Sequence, residues 1–374
     1  MRFTVSKDQF LKALNAANHA VASKNPVPAL SNFKLELSEK GLEVTGSNSE
    51  ITIRCIVPYR RGEEEIIRNA GMGSALVNAR SLLEGVRRME GSQISIDVID
   101  ESIAKVGDGK TSYKLPCVKA EEYPDIDLEP SGTGLDLKCA DLASLVEATA
   151  FAASSKEQAR PVLTALNLEA ENGELSAVAT DSARLAKKTI SIDSDVRFKA
   201  NVPSRVLVDI THLFENAATV SVFVSSSKAL FRFDNTTVPT RLIAGDYPVT
   251  KAIIPQNFNY YLEVNANELL SAMGRVSILS IDREPVVTLT MREESVEVSS
   301  KNDVAGSAEE TLSTCRFTGE RLQVSFNSLF VNDAIRALKS DDVTLCFQGE
   351  MKPFVVRDSN NPSIVELITP MRTY

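Results

Sequence analysis

The 374-residue chain has no tryptophan, and aromatic side chains make up only 6% of it. That scarcity argues against a platform of many stacked rings for bases or sugars. Histidine occurs only as His19 and His212, which leaves a histidine-based triad or multi-histidine metal site little to work with. His212, within VDITHLFE, reads as a helix-face residue. The sequence contains no GxxxxGK run ending in Ser or Thr, and GMG at 71–73 lacks the third glycine of a dinucleotide loop. The five cysteines, Cys55, Cys117, Cys139, Cys315 and Cys346, are odd in number and form no CxxC pair. They predict reduced thiols in a cytoplasmic protein. No apolar run approaches about 18 residues, and MRFTVSKDQF carries charge too often for a signal peptide, so no membrane partner is expected. The Asp181-Ser182 pair follows an alternating strand without a nearby base and reads as a hairpin turn. Clusters such as Glu63–Glu65 and Glu121–Glu122 read as solvated loops. Neither catalysis nor a cofactor is predicted.

What is present is repetition. The acidic Tyr-Pro turns EEYPDI and GDYPVT place Tyr123 and Tyr247 124 positions apart, a third of the chain, and one more such step reaches Met371 in the closing LITPMRTY. Each third opens with an amphipathic helix pattern: Phe10, Leu11, Leu14, Ala17 and Val21; Leu142, Leu145, Val146, Thr149 and Ala152; Leu269, Leu270, Met273 and Val276. A loop with proline follows, at Pro28, Pro161 and Pro285. Period-2 stretches then predict strand pairs: KLELSEKGLEV, NLEAENGELSAV and TLTMREESVEV. Second helices begin at Asn78, Pro203 and Asn327, with Asn as N-cap and Pro at a first helical position. Further alternating pairs follow them. The pattern predicts an α+β fold of three tandem units, each with two helices on one side of antiparallel sheets. The expected domains are 1–123, 124–251 and 252–374.

These residues resemble the bacterial DNA polymerase III beta subunit, the sliding clamp family. The likeness covers the whole chain: MRFTVSKDQFLKALN, NPVPALSNFKLEL, ATDSARLA at 179–186, the Tyr-Pro loops, FNSLFVNDAIRALK and the TPMR tail. It implies a clamp domain used three times to form half of a closed ring, two chains meeting head to tail around duplex DNA, with helices lining the hole. On the residues alone an open solenoid is equally allowed.

The net charge of -9 opposes nucleic-acid binding on average but says nothing of one concave face. The proposed helices and adjoining loops carry Lys7, Lys12, Lys24, Arg80, Arg87, Arg88, Lys156, Arg160, Arg197, Lys199, Arg205, Arg275, Arg283, Arg336 and Lys339. Asp8, Glu84, Asp141, Glu147, Asp209, Glu268 and Asp333 dilute them, and plain solvated helix faces explain the same residues. The resemblance implies that Lys24 and Arg160 face DNA. Weak, sequence-independent phosphate contacts suit a ring that slides.

The resemblance further implies a peptide-binding cleft between the second and third domains. It would use Leu163, Thr180, Arg184, Leu185, Pro248, Ile253, Asn327, Phe330, Met351, Pro353, Leu367, Ile368, Pro370, Met371 and Arg372. Apolar walls would bury a partner's side chains, while Thr180, Asn327 and Arg372 hydrogen-bond its backbone and a Gln. Implied partners are the DNA polymerase III alpha subunit, clamp loader subunits, and other polymerases and repair proteins with short Gln-hydrophobic motifs. The chain departs from the family at Ser182 and Ala183, where Gly-His is common, and at Ala252, Glu284 and the terminal Thr373 and Tyr374. Ile278 and Leu279 match the apolar family positions that join one chain to its partner; ordinary core at a helix end is the alternative. Two other classes stay open: a monomeric repeat scaffold that binds peptides, and an enzyme acting on phosphate esters.

Overall fold

The computed structural model describes the chain except for residues 23–25, 49, 157–159, 216, 280–284, 303 and 373–374. Six helices lie among the described residues, two in each third: α1 (Lys7–Asn18), α2 (Ala79–Arg88), α3 (Cys139–Thr149), α4 (Ser204–His212), α5 (Ala266–Val276) and α6 (Ser328–Leu338). The apolar stripe accounts for them: Phe10, Leu14, Ala17, Leu142, Leu145, Leu269 and Met273 are fully buried, whereas Leu11 and Leu270 are only partly covered. The Asn78 side chain accepts from Ser81 N at 3.0 Å, and Asn327 accepts from Leu329 N at 3.0 Å, each meeting a donor that the helix start leaves unpaired. Pro203 differs from expectation. It ends the strand Phe198–Pro203, paired with Ala165, and the helix begins one residue later. A strand end tolerates proline, so the sheet claims it first.

Alternation also missed the short strands that lead into the helices, including Arg2–Ser6, Thr133–Lys138 and Tyr260–Asn265. Each delivers the chain from a sheet directly into a helix.

The chain forms two compact units, Met1–Cys139 with Asp209–Leu242, and Ala140–Val208 with Ile243–Tyr374. In the first, thirteen described strands make one antiparallel sheet, against which α1 packs beside α2. The strand Thr52–Val57 meets Thr236–Arg241 there through Cys55↔Thr236 and Arg54↔Thr237, and a lone bridge joins Ile51 to Thr240. In the second unit the strand Arg184–Ser191 meets Asn361–Ile368 in continuous register, from Arg184↔Ile368 to Lys188↔Ile364. Here α5 packs on α6 over a core that includes Leu269, Met273, Phe326, Ile335, Phe347 and Phe354.

One turn recurs ahead of these junction strands. The Asn48 amide oxygen accepts from Glu50 N and Ile51 N, both at 3.0 Å. Asp181 accepts from Ala183 N at 2.9 Å and Arg184 N at 3.0 Å, and Asn302 from Val304 N at 2.9 Å and Ala305 N at 3.0 Å. A short side-chain acceptor that closes on its own backbone fixes each corner without help from the rest of the fold. Ser182, where the family often has glycine, sits at φ 80, a left-handed conformation that costs a side-chain-bearing residue more than glycine.

Within the second unit Glu366 is 1% exposed, and its Oε1 has no hydrogen-bond partner. Burial raises its pKa well above the usual carboxylate range; nearby Arg184 opposes that rise and Asp333 adds to it. The unfolded chain therefore releases this proton at a lower pH than the folded one, and the group subtracts stability as pH rises. Glu366→Gln keeps the shape and removes the titration. Its stability relative to the parent should increase by up to about 1.4 kcal/mol per pH unit above about pH 5, measured by denaturant unfolding at successive pH values. A relative stability that falls with pH would contradict a neutral carboxyl in the fold.

Candidate functional site

The junction strands of the second unit gather three of the expected cleft residues. Leu185 lies opposite Leu367, and Leu163, from the 3-10 turn Pro161–Thr164, joins them in a buried cluster with Val178, Tyr247 and Val355. Tyr247 explains its Tyr-Pro turn. It is 4% exposed, and burial raises its pKa, with the Thr180 backbone opposing that rise. Pro248 follows half-buried. Ile253 and Met351 stand at 49% and 52% exposure, apolar side chains that water still reaches, and Pro353 lies between covered and open. Ile368 belongs instead to the neighbouring core that holds Phe326 and Phe354.

The tail is held by its backbone. Thr369 N donates to Ala183 O at 2.9 Å, and Met371 N donates to Ser325 O at 2.7 Å. Pro370 is buried, and Arg372 is exposed. Two of the three polar groups expected to meet a ligand are already engaged: Thr180 Oγ1 donates to Arg184 O at 2.5 Å, and Asn327, 3% exposed, caps α6.

Arg184 is built into the wall. Its Nε donates to Asp181 at 3.1 Å, Nη1 to Asp333 at 2.6 Å and Nη2 to Phe151 O at 2.6 Å. Its guanidinium lies 4.6 Å from the Phe330 ring centre and 5.3 Å from that of Phe151. With the side chain 14% exposed, this is a planar cation held between rings and carboxylates, and Phe330 gains a fixed orientation from it. The partners Phe151 and Asp333 lie far from Arg184 in sequence, so linear reading did not find them; the Asp181-x-x-Arg184 spacing was the one local signal.

Of the two residues expected to face DNA, Arg160 is exposed and Lys24 lies outside the described residues, as does Arg283. Several helix cations are paired: Lys12 with Glu215 at 3.2 Å, Arg87 with Glu84 at 2.6 Å, Arg275 with Glu310 at 2.5 Å and Lys339 with Glu147 at 2.7 Å. Ile278, in the 3-10 turn after α5, is 77% exposed, so it is not ordinary core, and Leu279 is half-buried. Glu284, one of the departures, lies outside the described residues.

Among the described residues no helix is long and apolar enough to cross a membrane, and no three His, Cys, Asp or Glu side chains group to hold a metal.

Comparison with known proteins agrees along the whole chain. The DNA polymerase III beta subunit N-terminal, central and C-terminal domain models match residues 1–127, 136–249 and 251–372. The beta sliding clamp of Bacillus subtilis (strain 168) is 32% identical over 379 residues, covering 100% of both chains. The crystal structure of the DNA polymerase sliding clamp from Bacillus subtilis superposes with a TM-score of 0.95 at 31% identity over 100% of both. A sliding clamp from Bartonella birtlesii bound to griselimycin gives 0.93 at 26%, again over 100% of both. The fold is thus the three-domain clamp, and the chain belongs to the DNA polymerase III beta subunit family, the sliding clamps that confer processivity on replication.

Proposed function

We propose that two copies of this chain close into a ring around duplex DNA, and that the ring, without catalysis of its own, tethers replication and repair proteins in the cytoplasm. The observation that carries this reading is an unmatched pair of edges. The strand Gly306–Thr311 is the third copy of a junction strand, yet among the described residues it pairs on one side only, with Ser295–Asn302. The strand Ser112–Val118 pairs through residues 112–116 with Ile103–Gly107, but on its other side, among the described residues, only Cys117 and Val118 have strand partners. Exposed edges of this kind invite another strand, and joining one copy's edge to the other's closes a head-to-tail pair. Lys114 near one edge and Glu309 near the other have suitable charges. The domain limits 1–123, 124–251 and 252–374 belong to this proposal, supported by the three matched spans.

Confinement then replaces tight binding, which suits helices several of whose cations are paired with carboxylates. After loading by an ATP-driven clamp loader, the protein should persist on circular DNA and be lost from the same molecule once linearised. Equal retention on both would favour a groove binder. Ile278→Lys places a charge at the joint and should shift sedimentation from a dimer near twice 40.7 kDa to a monomer; an unchanged dimer at micromolar concentration would remove Ile278 from it.

The polymerase alpha subunit, clamp loader and repair proteins would dock through Gln-hydrophobic segments on the Leu163, Leu185 and Leu367 cluster, with Arg184 orienting Phe330. Because Leu367 and Ile368 are buried strand residues, the informative truncation begins at Pro370. It should weaken binding of a Gln-hydrophobic peptide about tenfold or more while leaving the dimer intact. Full affinity in the truncated protein would remove the tail from the cleft.

A further inference from the structure

The peptide cleft has an internal counterpart. At the first junction Ser47 Oγ donates to Ile51 O at 3.2 Å as Thr180 does to Arg184 O, and Arg241 N donates to Glu50 O at 3.3 Å as Thr369 N does to Ala183 O. Leu30, in the 3-10 turn Pro28–Ser31, takes the place of Leu163, and Tyr123-Pro124 that of Tyr247-Pro248. The register that pairs Ile51 with Thr240 sets Thr52 opposite Pro239, where the second junction has Leu185 opposite Leu367. Pro239 has no N–H to give, and no ladder pairs lie between Arg54↔Thr237 and Ile51↔Thr240. The seam is therefore looser here, and beside it lies a cavity of about 450 Å³ lined by Leu30, Pro124, Ile126, Pro239, Thr240 and Arg241. A second hollow of about 440 Å³ shares Pro124 and Ile126 and is walled by Tyr123. That tyrosine is 6% exposed, and its hydroxyl has no hydrogen-bond partner.

Charge selects the occupant. Three lining cations are neutralised where they stand: Lys228 on Asp127 at 2.6 Å, Lys34 on Glu36 at 3.2 Å and Arg54 on Glu43 at 3.3 Å. Left on the rims are Glu50, Glu121 and Asp125, all exposed, against Arg241. We propose that this first-junction cleft is a second docking site, for an extended protein segment that alternates apolar and basic side chains. The apolar residues would enter over Leu30, Ile126 and Pro239 while the cations meet the three carboxylates. The assignment rests on the reading of the second junction as a peptide cleft, through their internal equivalence, but calls for ligands of different charge.

The test uses the full-length protein and a fluorescein-labelled Leu-Lys alternating peptide of about nine residues, with a Leu-Glu version as control, followed by anisotropy. The Leu-Lys probe should bind, the Leu-Glu probe should not, and Glu50→Lys with Asp125→Lys should weaken the former by roughly tenfold. Truncation at Pro370 should leave that binding unchanged. The charge-reversed protein should still hold a Gln-hydrophobic peptide, which shows that it is folded. No Leu-Lys binding, equal binding of the Leu-Glu probe, indifference to the charge reversal, or loss on truncation would each overturn the proposal. Survival of Gln-hydrophobic binding after truncation would instead sink the tail's role in the second cleft, separating the two failures.

Discussion

Backbone hydrogen bonding across repeat junctions is the constraint from which the remaining features follow. A sheet edge exposes a row of N–H and C=O groups that another strand can satisfy, and a chain built from three like units has such edges at every boundary. Two boundaries are closed within the chain, Thr52–Val57 on Thr236–Arg241 and Arg184–Ser191 on Asn361–Ile368. The third strand of the series, Gly306–Thr311, is left with an open side among the described residues. In the proposed dimer a second copy would satisfy it without any new type of contact, and a ring is the closed arrangement that a head-to-tail joint permits.

The same constraint makes clefts. Where the last strand of one repeat pairs with the repeat before it, a recess forms beside the joint, floored by side chains from both strands. At the second junction the floor is Leu185 and Leu367, with Tyr247 behind it, and Arg184 braces the wall between Phe151 and Phe330. At the first junction Thr52, Pro239 and Thr240 occupy the equivalent places. One backbone device thus yields two recesses of different polarity, and side-chain identity alone separates the ligands proposed for them.

Much of the fold could be read from the sequence because its signals are local. Helical stripes such as Phe10, Leu14 and Ala17 need only a period, and the turn read at Asp181-Ser182 closes on its own backbone. The strands leading into the helices were missed because five or six residues carry too little periodicity to stand out. In the cleft, the apolar floor followed from the family likeness. The engagement of Thr180 and Asn327 within the protein, and the cage around Arg184, depend on residues such as Phe151 and Asp333 that only tertiary folding brings near. The buried Glu366 gave no signal either, since a lone Glu in an alternating strand reads as a solvent-facing position.

The open edge is the most direct point of test. Hydrogen–deuterium exchange of the amides at 306–311 and 112–115 should be slow in the intact protein at concentrations that sustain the dimer, and fast in the Ile278→Lys monomer. Equally fast exchange in both proteins would mean that no second strand covers these edges, and the account of a ring closed by backbone pairing would be wrong.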